Sequence, residues 1–524
     1  MTDLLNYIGL GIMAVLNGPA LFEIGGIGLP VALVMLAAGL FTGIAVGATP
    51  GLAGPMAMAI SLPLLISAFG FTPDALLPVF AFLIGIMKGA TLGGAVPAIL
   101  FNLPGTPDAM MTTLDGHPMA RNGQPRRALR IAQLSSVAGD SFSDIVLFVC
   151  APFLAVVVES YLDLPEKTAL LILSISFIAA VMGASVGKGL LSVGLGLIVA
   201  YIASGNDLTP RLTMGFDALD AGVPLIAAIL GVLIVGEIFA TLETLWRNNR
   251  ALDVKTETHG TAQDGLAPGD LKRITPVVVR GALIGTVIGA LPGVGSTLAA
   301  TLSYSLGARR ARRIAGAQPF GSGAPEGIAA TEAANSAVSG ANLIPVLSLG
   351  IPGNAAAVFL ILAADSIGGF NPGPAVFAMP EGETNPQLVV AFGIFTLMAI
   401  GNLLNWTVGG AVMRSMSVLA RVPATRLLPV VLLVSLTAIY VQETSMFAVW
   451  ATLAFGVLGY GMRRLAVPVL PFVIAFILAG PLERSAREAF SATGADPWFL
   501  FSSPTSVILL LMAVAALIFL GRDG

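Results

Sequence analysis

Long apolar runs alternate with short polar joints along almost the whole chain. In the first part they lie at 27–47, 52–68, 75–103, 129–157, 168–187, 189–204 and 222–243; after a long polar stretch they resume at 276–292, 294–307, 325–362, 387–412, 427–442, 446–462, 465–481 and 504–521. Most approach the roughly 20 residues that a helix needs to cross a bilayer. None alternates over about 10 residues, as a barrel strand would. The pattern predicts an all-α polytopic membrane protein of about 10–13 membrane segments. Residues 4–22, interrupted at Asn17-Gly18-Pro19, read as an interfacial or entry helix. The polar stretch has linker composition, which predicts an N-terminal half at 1–245, a linker at 246–275 and a C-terminal half at 276–524.

The two halves repeat a motif. Gly39, Gly43 and Gly47 recur at every fourth residue and lead to Pro50-Gly51; Gly281, Gly285 and Gly289 lead in the same spacing to Pro292-Gly293. A second pair comes after each, Pro97 with Pro104-Gly105 and Pro345 with Pro352-Gly353. Each half therefore carries two broken apolar segments, either broken helices or re-entrant hairpins. Glycines at this spacing are also how membrane helices pack closely, and packing is the reading given to them. The Pro-Gly breaks read differently, because freed backbone at membrane depth must be satisfied by protein or by a water-lined cavity.

Charge orients the halves. The joint after the second Pro-Gly holds Arg121, Arg126, Arg127 and Arg130 in the first half, whereas 363–385 in the second has no Lys or Arg. The joint after the first Pro-Gly shows the reverse: 69–74 has no basic residue, while Arg309, Arg310, Arg312 and Arg313 occupy the matching place in the second half. A third pair agrees, with Glu159, Asp163 and Glu166 beside Lys167 against Arg414, Arg421 and Arg426. Basic loops stay cytoplasmic, so the repeats are expected to be inverted, with the 246–275 linker and the C-terminus cytoplasmic.

Composition agrees with a membrane protein and removes other classes. Of 524 residues 56% are hydrophobic and 10% charged, with a mean hydropathy of +0.91; a soluble chain carries about 25% charge. The lone Cys150 leaves no internal disulfide or Cys-rich metal site. Asp3 stands where a signal peptide would be basic, so the start is expected to be mature sequence. No zinc-protease or phosphate-loop motif appears, and no metal or cofactor is expected. Gly183, Ser185 and Gly187 fit a Gly-x-Ser-x-Gly pattern but lack its strand-to-helix setting, and His117 and His259 lie in polar stretches. The arginine joints read as topology signals, and nucleic-acid binding is not expected.

Inverted repeats with interrupted helices point to a secondary-transporter site near the midplane. A half-helix that starts inside the membrane directs N–H groups at an anion, and one that ends there offers carbonyls to a cation. The expected substrate ligands are Asn102, Pro104, Gly105, Thr106, Ser296, Thr297, Pro352, Gly353 and Asn354, with Lys88 as an intramembrane cation facing the substrate or paired with a carboxylate. The expected cation-coupling residues are Pro50, Gly51, Pro292, Gly293, Glu332, Asn335 and Ser336. Asp140 and Asp144 share a helix face and repel unless one is protonated or ion-bound. Glu237 and Glu243, close to Arg247 and Arg250, read as structural. A passive anion channel fits the same pattern, and an intramembrane enzyme or a non-transporting scaffold remains an alternative.

Several long stretches are similar to one known family. GIAVGATPGL, KGATLGGAVPAILFNLPGT and LDGHPMARNGQPRRAL in the first half, with GTVIGALPGVGSTLAATLSY, FGSGAPEGIAATEAANSAVSGANLIPVLSLGIPG and NPGP in the second, resemble the large membrane (permease) subunit of tripartite tricarboxylate transporters. The resemblance implies a carrier in the bacterial inner membrane that imports an organic di- or tricarboxylate, or a related acid. It also implies coupling to a Na+ or H+ gradient rather than to ATP, a small membrane subunit, and a periplasmic solute-binding protein that delivers the substrate.

Overall fold

A computed structural model describes residues 2–24, 27–182, 185–203, 219, 222–248, 265–314, 316, 318–380, 383–416 and 424–519. Most of the linker with His259, Gly183 of the serine pattern, Glu381, Arg421 and the end of the chain lie outside the described residues. The apolar runs are helices, and the chain is a multi-pass membrane protein. Among the described residues eight helices are long and apolar enough to cross a membrane, including Pro73–Phe101, Pro125–Tyr161, Leu225–Thr244 and Pro386–Met416. Shorter apolar helices such as Val31–Gly47, Gly54–Phe69 and Ala355–Ile367 accompany them.

Three details depart from the sequence expectation. The run expected from residue 27 begins as a strand: Ile27–Pro30 pairs antiparallel with Ala20–Ile24, and the helix starts only at Val31, after Pro30. The run 325–362 is three helices, Pro325–Ala341, Leu343–Leu349 and Ala355–Ile367. The arginine joint is itself helical, with Thr113–Arg121 followed by a turn at Asn122-Gly123 and a 37-residue helix that starts at Pro125. Proline suits that first helical position, where no N–H partner is needed.

Contacts divide the chain into two compact units, and each draws on both halves of the sequence. One holds Met1–Phe153, Asn249–Leu291 and Gly295–Pro429; the other holds Leu154–Asn248, Pro292–Val294 and Val430–Gly524.

In the first unit the glycine series are packing surfaces. Helix Val31–Gly47 lies on helix Leu76–Phe101, with Gly39, Gly43 and Gly47 against the backbone of Phe82, Ile86 and Ala90, while Gly85, Gly89 and Gly93 return the contact to Leu36, Leu40 and Ile44. Helix Asp270–Gly289 does the same on helix Pro325–Ala341, placing Gly285 against Ala334 and Ala337 and Gly289 against Val338 and Ala341. With no driving force from water in the bilayer, backbones must approach this closely for dispersion contacts to hold two helices together. At the edge of this unit Arg127 forks onto Asp270, with Nε to Oδ2 at 2.9 Å and Nη2 to Oδ1 at 2.6 Å. Burial pushes the Asp270 carboxyl up, but the Arg127 fork and the Ala267 N–H outweigh it and hold the group below its ordinary value.

The second unit packs its helices in the same manner, with Gly189 on Ala179 and Gly459 on Val232. Its helix Leu225–Asn248 contains a π turn at Gly231–Val235. Such a turn takes carbonyls out of the ordinary ladder. Arg463 covers them: it donates to Val232 O at 2.8 Å and Leu233 O at 2.9 Å, and its Nε meets Glu237 at 2.7 Å. Glu243 accepts from the Tyr460 hydroxyl at 2.8 Å. Glu237 and Glu243 thus hold this helix to its neighbour.

Candidate functional site

The breaks have one geometry in both halves. Helix Leu76–Phe101 ends at Asn102 in the left-handed region (φ 56), and the following Leu103 N–H bonds back to Pro97 O at 3.2 Å. Helix Leu343–Leu349 ends at Gly350, also left-handed (φ 71), and Ile351 N–H bonds back to Pro345 O at the same 3.2 Å. Glycine takes this conformation without penalty and asparagine is the non-glycine residue that best tolerates it. The first breaks match as well. Ala48 and Ala290 close their helices onto Ile44 O and Thr286 O at 2.9 and 3.0 Å, and Gly51 and Gly293 have φ of 86 and 84.

The structure gathers part of the expected site. Gly105 is buried with its N–H on Gly94 O at 3.3 Å, and its α-carbon lies beside Gly47, so the second break of the first half nests against the helix that ends in Pro50-Gly51. Thr106, 6% exposed, points its Oγ1 at Gly94 without a hydrogen-bond partner. Thr297 joins the same place from the second half, donating to Asp108 Oδ1 at 2.8 Å, with Ser296 beside it at the start of helix Ser296–Ala311. Asn102 and Pro104 are exposed, and Pro352 and Gly353 are buried. Asn354 caps helix Ala355–Ile367, its Oδ1 accepting the Ala357 N–H at 2.8 Å, so its amide NH2 is the end left for a ligand. That helix packs on Gly54–Phe69, the helix after Pro50-Gly51. Pro292 and Gly293 belong to the second unit, where Gly293 faces Ile178 and Met182.

The ionisable residues fall into two groups. Glu332 is fully buried: its Oε1 accepts from the Thr112 hydroxyl, itself 3.1 Å from Thr331 Oγ1, and its Oε2 has no partner. On the same helix the Asn335 amide nitrogen is buried without an acceptor, and Ser336 meets Ser136. This forms a polar seam between helices Pro125–Tyr161 and Pro325–Ala341, where Gly139 also contacts Ala333 and Gly340 contacts Ser143 and Asp144. Lys88 belongs to the second group. Its ammonium donates to Asp140 Oδ2 at 2.8 Å, Asp144 Oδ2 at 2.7 Å and Asn402 Oδ1 at 3.0 Å.

Three participants were not singled out in the sequence. Asp115, 0% exposed, accepts at Oδ1 from the N–H groups of Gly321, Gly323 and Ala324 at 2.9, 2.9 and 2.7 Å, and at Oδ2 from Tyr304 at 2.9 Å. It thereby fixes the entry to the Glu332 helix, and the only signal was its place in LDGHP. Asp108 holds Thr297, and Asn402 completes the Lys88 cluster from an apolar run where a lone Asn reads as helix glue. Near the cluster's helix, Arg126, Arg130, Gln133, Thr407 and Arg414 line a cleft of about 500 Å³.

The model of the tripartite tricarboxylate transporter TctA family matches residues 33–474. The chain is similar to an uncharacterised 52.8 kDa protein in the TAR-I ttuC' 3' region of Agrobacterium vitis, at 31% identity over 99% of this chain and 96% of the relative. It is also similar to an uncharacterised protein in the TAR-II ttuC' 3' region of Agrobacterium vitis, at 30% identity over 45% of this chain and 92% of that relative. No solved structure matches.

Proposed function

The chain belongs to the tripartite tricarboxylate transporter TctA family, and we propose that it is the membrane-embedded carrier of an ion-coupled importer of organic carboxylates. A periplasmic solute-binding protein delivers the substrate, a small membrane subunit accompanies the carrier, and the broken helices at Pro50-Gly51, Pro104-Gly105 and Pro352-Gly353 form the site from which it alternates its access between the two sides of the inner membrane.

The observation that carries this reading is the repeated break. Asn102 and Gly350 leave their helices in the same left-handed conformation, Gly51 and Gly293 take matching left-handed φ in the other two breaks, and small polar residues follow three of the four, at Thr106, Ser296-Thr297 and Asn354. Carbonyls and N–H groups released at such breaks suit a cation and a carboxylate respectively. Thr106, Ser296, Thr297 and Asn354 offer neutral hydroxyls and an amide, which orient an anion without burying a full charge of their own. The Thr106 hydroxyl, the Asn335 NH2 and the free Glu332 oxygen lack protein partners, a condition that favours a ligand in a buried site.

Reconstituted uptake tests the reading. The carrier, incorporated with its small subunit and supplied with loaded binding protein, accumulates radiolabelled carboxylate when a Na+ or a pH gradient is imposed, each applied alone in turn. A Pro104→Ala, Pro352→Ala double variant inserts into the membrane but loses accumulation, because both breaks revert toward continuous helix. Full accumulation in that variant excludes the broken-helix site, and equilibration without accumulation in the wild type makes the protein a channel.

A further inference from the structure

The Lys88 cluster is unbalanced. Lys88 uses all three ammonium hydrogens on Asp140, Asp144 and Asn402, and the Asn402 NH2 also donates to Asp144 Oδ2 at 2.7 Å. One positive charge therefore faces two carboxylates, with Lys88 2% and Asp140 4% exposed. Oδ1 of Asp140 and Oδ1 of Asp144 are both buried without a hydrogen-bond partner. Among the described residues no further charge reaches the group from the elements around it: helix Leu76–Phe101 contributes Lys88, helix Pro386–Leu404 contributes Asn402, and helix Pro325–Ala341 presents Gly340. A net negative charge held at this depth is costly unless something neutralises it.

The geometry points to the Asp140–Asp144 pair as a proton-binding site of this carrier, Lys88 being its fixed countercharge. This rests on the reading of the protein as an ion-coupled carrier. Two carboxylates that share one ammonium have room for a single proton between them. The proton adds to a free Oδ1, forming one O–H bond and taking the cluster from a net charge of −1 to zero. It has a route, because Asp144 lines a cleft of about 340 Å³ together with Ser141, Asn402 and Met398. A metal cation is disfavoured by the same arrangement: it would have only the two free Oδ1 atoms from these side chains and would lie beside the Lys88 ammonium. A proton needs one oxygen lone pair.

Charge counting makes the test specific. Asp140→Asn or Asp144→Asn leaves one lysine and one aspartate, a neutral cluster that has no need of a proton. Asp144→Glu restores the excess charge. Infrared difference spectra of the purified full chain in nanodiscs, recorded across a pH titration, are expected to show a protonated-carboxyl band in the wild type. With Glu332→Gln as the common background, which removes another fully buried carboxyl, the band is expected to be absent in either Asn variant, present in Asp144→Glu, and unmoved by added Na+. A wild-type spectrum without such a band, a band that survives in both Asn variants, or a band displaced by Na+ overturns the proposal. A merely structural cluster predicts equal harm from each Asn variant and no change in the titration. The carrier reading is judged separately by uptake: accumulation driven by neither gradient defeats that reading while leaving the band in place.

Discussion

Asp115 gives the sharpest test of how the site is held. Replacing it with Ala removes one carboxylate that satisfies three backbone N–H groups and the Tyr304 hydroxyl. Two of those amides, on Gly323 and Ala324, are bonded within buried surroundings, and each buried donor left without an acceptor costs about 1–3 kcal/mol. Counting those two, with a smaller contribution from the partly buried Gly321 bond and from Tyr304, the loss is about 3–7 kcal/mol. That is comparable with the whole stability of many proteins, about 5–15 kcal/mol. Asp115→Asn keeps an acceptor oxygen in place and loses mainly the charge assistance, which makes a bond roughly twice as strong; its cost is about 1–2 kcal/mol. The assay is thermal inactivation in detergent, followed by size-exclusion chromatography, with the wild type and both variants side by side. Asp115→Ala is expected to aggregate or to lose most of its folded fraction under conditions that Asp115→Asn survives. Equal inactivation temperatures for Asp115→Ala and the wild type refute the claim that this carboxylate anchors the loop before the Glu332 helix.

Packing and charge supply two more expected outcomes. Gly285→Val drives a side chain into the Ala334 backbone and the Ala337 methyl, so it should destabilise the fold by at least about 2–3 kcal/mol, whereas Gly194→Ala, whose new methyl meets nothing within 4 Å, should be neutral or slightly stabilising; comparable folded yields for the two would contradict the close-packing role. The Asp270 carboxyl is held below its ordinary value in the fold, so the contribution of the Arg127 pair is complete above the unfolded value of about 3.9 and is lost as pH falls through the lower folded value. An acid-unfolding series should therefore show Arg127→Gln less stable than the wild type near neutral pH, with the gap closing in acid; a gap that widens in acid would reverse the sign.

The helical architecture was legible because membrane helices announce themselves by apolar length alone, and the breaks because proline and glycine mark them directly. One break recurs with the same backbone bond: in both halves the residue just before the Pro-Gly, Leu103 or Ile351, returns its N–H to the carbonyl of the earlier proline, Pro97 or Pro345. Other features were hidden by composition. Ile27–Pro30 is as apolar as the helix it precedes, so periodicity over four residues had no power to separate strand from helix. Asp140 and Asp144 stood out as a repelling pair and Lys88 as an isolated cation, but one sequence cannot show that they meet, because the residues lie on different helices. Asn402 was invisible for a related reason: a single amide in an apolar run has many possible partners, and only the fold chooses Lys88.

A second irregularity lies close to that contact. Shortly after Asn402 the helix passes into a π turn at Asn405–Gly409, and its first carbonyl, on Asn405, is also met by a side chain. Gln133, 1% exposed, donates its Nε2 to that carbonyl at 2.7 Å. Gln133 sits about two turns before Asp140 on the same helix, so the bond ties the helix of the aspartates to the helix of Asn402 close to the cluster. Before the turn Asn402 faces Lys88, and within and after it Thr407 and Gly410 line the arginine cleft. The second unit solves the same local problem with Arg463 over Val232 and Leu233. There a charged fork covers the carbonyls; here a neutral amide does so, its own Oε1 held by the Arg130 guanidinium.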